Sequence, residues 1–231
     1  PWTRKHDDPR VPHIAAAPRV IYPTSLHDLI ALCRAPGSAL KAAGSHWSLS
    51  EAAVSDHGFV EIQDPRGLHG VMDKTLATVV PGCLNPDYLK LMHSHAQRKD
   101  VWYLAHVEAG KRICQLYAEL DQKVDIDDPT TLGGVLKRDH GSKAFTGPWG
   151  VATLGGAGGQ TFVGALSTGT HGGDFDRPPV ADAVLALHIV LDGGDHVWIE
   201  PVDRRVPPLT DDAKLMQAYG PDNGYPELRI I

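Results

Sequence analysis

The sequence predicts an α+β fold, and three observations predict it. In the first half, short runs of β-branched residues alternate with segments of helical periodicity. The second half turns to hairpin-like strands around Gly193-Gly194. Nowhere does a strand feed a Gly-x-Gly-x-x-Gly that opens a helix with a later acidic partner, so a doubly wound dinucleotide fold is not expected.

Residues 1–18 are polar and proline-rich without periodicity and read as an extended N-terminal arm, with 19–231 forming the domain. Val20, Ile21 and Tyr22 give a strand that Pro23 ends. Ser25 and Asp28 have capping-box spacing ahead of Leu26, Leu29, Ile30 and Cys33, predicting a helix over 24–35. Strands are predicted at 39–43, 59–62 and 76–80. Asn85-Pro86 pairs a cap with an N1 proline and starts a second helix, with Leu89, Met92 and Ala96 as its buried stripe. A strand over 101–109 follows, then a helix over 111–121 from the spacing of Ile113, Leu116, Tyr117 and Leu120. Residues 124–150 are turn-rich; 155–173 are dense in glycine; 180–191 read as one long strand, turning at Gly193-Gly194 into a partner at 197–200. The run 226–231 reads like the start of another element, so the chain reads as a piece of something longer.

The 231 residues carry 22 Lys and Arg against 28 Asp and Glu, a net charge of −6, so no basic field exists for nucleic acid. At 42% hydrophobic and 22% charged, the composition is that of a globular protein, and no apolar run reaches membrane-spanning length. Cys33, Cys83 and Cys114 form no CxxC pair and read as buried, reduced thiols; with no targeting signal, the cytoplasm is the expected compartment. The 13 histidines include His93-x-His95 and the scattered His69, His106, His140 and His188, none with zinc-hydrolase spacing. Most of them read as surface or capping residues, and no metal site is expected. No Gly-x-Ser-x-Gly elbow and no P-loop lysine is present.

Two segments carry the chemistry. In the first, Gly44-Ser45-His46-Trp47-Ser48 follows a strand. The second is the run from Leu154 to Gly173, where glycines alternate with the hydroxyls of Thr161, Ser167, Thr168 and Thr170. Bare backbone of this kind lets amide N–H groups approach a pyrophosphate or a polar ring system. Glycine runs also mark bends where two backbones pack, and the accompanying hydroxyls are what favour a ligand cradle. Alone, His46 reads as a hydrogen-bonded structural histidine and Trp47 as a packed anchor.

Together, residues 43–50, Val107-Glu-Ala-Gly110 and Gly164-Ala-Leu-Ser-Thr-Gly-Thr-His-Gly172 resemble the FAD-binding domain of the vanillyl-alcohol oxidase / p-cresol methylhydroxylase (PCMH-type) superfamily, nearest the L-gulonolactone and alditol oxidases. Residues 22–29 and 182–190 resemble it too, and Ser-Thr-Gly-Thr-His-Gly is the most specific run. The resemblance implies two α+β subdomains with FAD between them. The loop from Gly44 to Ser48 would hold the pyrophosphate; Gly156, Thr161, Gly164, Thr168, Gly169, Thr170 and His171 would line the flavin and ribityl chain. It implies hydride removal from the alcohol carbon of a sugar, polyol or aldonolactone, with dioxygen or another electron acceptor reoxidising the flavin. A dehydrogenase, or an FAD-binding electron-relay subunit without its own substrate pocket, is the alternative. Where many relatives bond flavin covalently through a Gly-His-Ser histidine, this chain has Trp47, and His46 stands one residue early. Non-covalent FAD is therefore expected, with His46 the sole candidate for a covalent link. Such enzymes are usually longer, and their catalytic bases come from a substrate domain that this chain lacks, so no catalytic residue is assigned.

Overall fold

The computed structural model describes residues 20–35, 40–47, 55, 57–62, 72–73, 75–76, 82–97, 104–121 and 148–231. The expected N-terminal arm, Ser48, His69, His140 and the outer parts of the strands expected at 76–80 and 101–109 lie outside these residues, as does most of the turn-rich 124–150 stretch.

Helices and strands are both present, the strands in three small sheets. The first sheet is parallel, with β1 (Val20–Ile21) and β2 (Lys41–Ala43) flanking β3 (Phe59–Glu61), so that Val20 and Lys41 both sit opposite Phe59. Between β1 and β2 runs α1 (Leu26–Arg34), whose start follows the expected capping box. Ser25 Oγ accepts from the Asp28 amide at 3.1 Å, and Asp28 accepts in return from the Thr24 amide and hydroxyl.

The second sheet pairs β4 (Thr75–Leu76) with β5 (His106–Val107) in antiparallel fashion. Between them, α2 (Pro86–Gln97) starts as read, with Asn85 Oδ1 accepting from the Asp87 amide at 2.9 Å and Tyr88 and Met92 buried. After β5 comes α3 (Ile113–Leu120), burying Ile113 and Leu116.

The glycine-dense stretch holds a helix that the sequence reading did not expect, α4 (Phe162–Ser167). Thr161 is its N-cap, its Oγ1 accepting from the Gly164 amide at 3.1 Å. Its C-terminus closes as a Schellman motif: Thr170 N–H donates to Ala165 O and Gly169 N–H to Leu166 O, with Gly169 left-handed at φ 66°. Gly169 is thus required by a helix end, whatever else it does.

The long strand expected over 180–191 is not continuous. Pro179 caps a short 3-10 turn at Val180–Ala183, and only Leu187–Val190 extends as β6. The Val180 amide bonds Thr170 O, and its side chain is fully buried beside α4. Anchoring Val180 there bends the chain before it can extend. The turn from β6 to β7 (His196–Ile199) spans five residues, since Val190 pairs with His196, and is longer than the two-residue glycine loop expected. Gly193 and Gly194 both adopt positive φ in it.

Beyond β7, α5 (Asp212–Tyr219), also absent from the sequence reading, crosses over to β8 (Leu228–Ile230), which lies parallel to β7. The run at 226–231 thus contributes a strand to this sheet. Two cores result. One gathers Tyr88, Met92, Leu104, Trp198, Leu215 and Leu228; the other gathers Ile113, Leu116, Phe162, Ala165 and Val180. Of the three cysteines expected to be buried, only Cys83 is; Cys33 is half-buried and Cys114 exposed. Among the described residues no helix is long and apolar enough to cross a membrane.

Candidate functional site

The structure brings the two sequence segments together. Gly44, at the end of β2, lies against the N-terminus of α4: a Cβ there would stand 2.8 Å from Thr161 Oγ1 and 3.8 Å from Gly164 Cα. One turn along the same loop, the indole of Trp47 covers Gly159, where a Cβ would meet Trp47 Cζ2 at 2.8 Å. Backbone bonds from Ile113 to Gln160, from Cys114 to Gly158 and from Phe162 to Lys111 tie this seam to the start of α3. Gly172 closes the block by donating to Thr153 Oγ1 at 3.1 Å.

Several groups read in the sequence as ligand donors already have partners here. Thr161 caps α4, Ser167 Oγ donates to Val163 O, and Thr168 Oγ1 donates to Gly164 O at 3.0 Å. Thr161 Oγ1 keeps its proton to donate, whereas Ser167 and Thr168 have spent theirs and can only accept. Thr170 Oγ1 lies 3.5 Å from Thr168 Oγ1, and His171 Nδ1 contacts Gly172 O at 2.8 Å with the ring exposed. Ser45 is half-buried in the same loop.

His46 is the one non-glycine residue with positive φ among the described residues, at 55°. Its Nε2 meets Glu61 Oε1 of β3 at 2.6 Å, and its ring stands edge-on to Phe59. That pairing accords with the hydrogen-bonded reading and leaves Nδ1 as the nitrogen through which His46 would touch a ligand. Trp47 is 54% exposed, so it anchors Gly159 by one edge and offers the rest of its face outward.

A cofactor needs backbone that nothing else occupies. Gly44 and Gly164 do not provide it, because the space where their side chains would be is taken by Thr161. Gly156 and Gly173 do: no atom lies within 4 Å of a Cβ built at either, and Gly156 keeps ordinary φ. At its Gly156 end the seam therefore leaves bare backbone that a polar group could approach without meeting a side chain.

On the other face of α4 lies a cavity of about 720 Å³. Phe162, Val163 and Leu166 look into it, as do Leu104, Leu116 and Trp149. Its polar lining includes His106 of β5 and His188 of β6, together with Thr24, Ser25, Glu108, Tyr219 and Tyr225. His188 Nε2 lies 2.9 Å from His196 Nδ1, and His196 Nε2 lies 3.0 Å from Pro226 O. A carbonyl only accepts, so His196 carries its proton on Nε2 and His188 donates from Nε2. His196 is wholly buried, and the rings of Trp198 and Tyr219 pack on His188. Burial, helped by the neighbouring His196 and His106 rings, pushes His188 down to about 4; burial alone lowers His106. His196 is buried and His106 and His188 are half-buried, so these three are not among the surface or capping histidines that the sequence led one to expect for most of the set. One signal in the sequence could have found them: His188-x-Val190 and His196-x-Trp198 alternate onto one face of a hairpin.

Glu200 escaped the sequence reading as well. Its carboxylate accepts from the Trp198 indole at 2.7 Å, the Leu209 amide at 3.0 Å and the Thr210 hydroxyl. That network pins the segment leading into α5. Lys111 is similarly buried in an ion pair with Glu119. No group of three or more His, Cys, Asp or Glu is placed to hold a metal ion among the described residues.

No protein-family model, curated protein or solved structure matches this chain.

Proposed function

We propose that the chain binds FAD along the seam between the Gly44–Trp47 loop and the 155–173 block, and serves an oxidoreductase that removes hydride from an alcohol carbon. One observation carries the reading. Two remote, side-chain-poor segments, singled out for the same ligand, lie against each other at Gly44, Thr161 and Gly164. At that contact Thr161 fills the space a side chain would need, and beside it the backbone of Gly156 and Gly173 is left open.

Bound FAD supplies the hydride acceptor. The residues of this chain do the holding. Backbone at Gly156 and Gly173 receives the polar part, Thr170 and His171 border it, and Trp47 covers one edge. Glu61 accepts from His46 Nε2 and fixes the ring, which leaves Nδ1 to accept a hydrogen bond, and the flavin is held without a covalent link. The substrate is an alcohol, and dioxygen or another acceptor reoxidises the flavin.

Gly156→Val tests this cleanly, because the fold leaves room for the side chain while the ligand does not. The wild-type protein is expected to take up FAD, with quenching of flavin fluorescence and a yellow protein after gel filtration. Gly156→Val should keep the wild-type melting temperature and lose that uptake. Wild-type protein that takes up no FAD, or a folded Gly156→Val that binds it as well as wild type, refutes the reading.

A further inference from the structure

We propose that Arg112 makes the seam an oxyanion site, its guanidinium being the counter-charge for a phosphate group of the ligand held there. Arg112 stands where the chain turns into α3, and it forms an isolated antiparallel bridge with Thr161. The flanking bonds run from Ile113 N–H to Gln160 O and from Phe162 N–H to Lys111 O. That pattern makes Arg112 and Thr161 a non-hydrogen-bonded pair, in which the two side chains leave the backbone on one face and close together. Thr161 is the residue that fills the space beside Gly44. The arginine thus springs from the wall of the seam, although it belongs to neither glycine segment.

Its charge is unanswered. Among the described residues no carboxylate pairs with it, because the acids nearby are engaged elsewhere: Glu61 with His46, Glu119 with the buried Lys111, and Asp73 as the acceptor for Gln115. Arg112 Nε is enclosed and has no hydrogen-bond partner. The terminal nitrogens are not enclosed, and they are what a ligand meets. A guanidinium keeps its proton at any physiological pH, so the half-buried charge cannot be relieved by titration. A cation kept partly out of water without a counter-ion costs the fold stability, and an arriving anion offsets that cost. The two terminal nitrogens form a planar fork that matches two oxygens of a phosphate. Assigning that phosphate to the diphosphate of FAD rests on the flavin reading; the oxyanion site itself does not.

The probes are inorganic pyrophosphate and succinate at equal ionic strength, read by thermal shift on the full chain without flavin, and FAD and riboflavin, read by quenching of flavin fluorescence. Pyrophosphate is expected to raise the melting temperature and succinate to leave it unchanged. Arg112→Met keeps the apolar stem and removes the charge. It should abolish the pyrophosphate shift, weaken FAD roughly 10- to 100-fold, the worth of a charge-assisted hydrogen bond, and leave riboflavin binding as it was. Without ligand, the same variant should melt no lower than wild type, because no counter-ion is stranded. Arg112→Lys keeps the charge without the fork and should retain only part of the shift. No pyrophosphate shift in wild type, an equal shift with succinate, a shift that survives Arg112→Met, or a ligand-free Arg112→Met that melts below wild type would each overturn the proposal. Pyrophosphate binding that needs Arg112 in a protein that takes up no FAD refutes the flavin reading alone, and FAD uptake undiminished in Arg112→Met refutes this inference alone.

Discussion

Acid should destabilise this protein through His188. Unfolded, its imidazole titrates near 6.5; folded, burial beside His196 and His106 lowers it to about 4. Between those values the unfolded chain binds a proton that the folded chain refuses, so stability rises with pH across the window and is lost as pH falls from 6.5 toward 4. The separation of 2.5 units corresponds to about 3 kcal/mol, at roughly 1.4 kcal/mol per unit. His106 moves in the same direction and adds to the loss. Asp28, lowered chiefly by the Thr24 hydroxyl, acts below this window. Urea unfolding at steps from about pH 7.5 to about pH 4.5 measures the slope. His188→Gln removes the titration and keeps an N–H donor facing His196. The variant should be less stable at neutral pH, yet lose most of the wild-type pH dependence. Identical slopes in the two proteins would refute the assignment of a buried, neutral His188.

Three further outcomes follow from the contacts described. Glu200→Gln turns an amide toward the Trp198, Thr210 and Leu209 donors and should cost about 2 kcal/mol by urea unfolding, whereas a loss under about 0.5 kcal/mol would mean the network is not formed. Thr161→Ala removes the α4 cap and should cost about 1 kcal/mol in thermal or urea unfolding, with Thr161→Ser restoring most of it. Leu215→Ala, at a position with no exposed surface, should cost about 2–5 kcal/mol, and a smaller change would show that the α5 core is loosely packed.

The helices written in cap chemistry were legible. Ser25 and Asp28 announced α1, Asn85-Pro86 announced α2, and apolar spacing announced α3. The signals of α4 were present too, Thr161 at one end and Gly169 at the other, but glycine composition drew the eye to backbone freedom and away from the caps. The long strand failed because an apolar run at 180–191 does not by itself separate extended chain from a 3-10 turn, and the tertiary hold on Val180 decides between them. The seam could be read because glycine advertises close approach. The cavity could not. Leu104, Leu116 and Leu166 are unremarkable core residues one by one, and the environment of His106 exists only after β5, β6 and α4 assemble.

In the six residues of α4 only Ser167, at the very end, is exposed, as is the C-cap Thr168. One surface grips the Gly44 loop, and the other walls the cavity. A helix with a long solvent side tolerates drift along that side; this one offers that refuge only at its last turn. Exhaustive mutagenesis should therefore yield intolerance across 161–166, with tolerance confined to 167 and 168. Repairs to one surface would have to be tuned against the other, so the segment would evolve as a block.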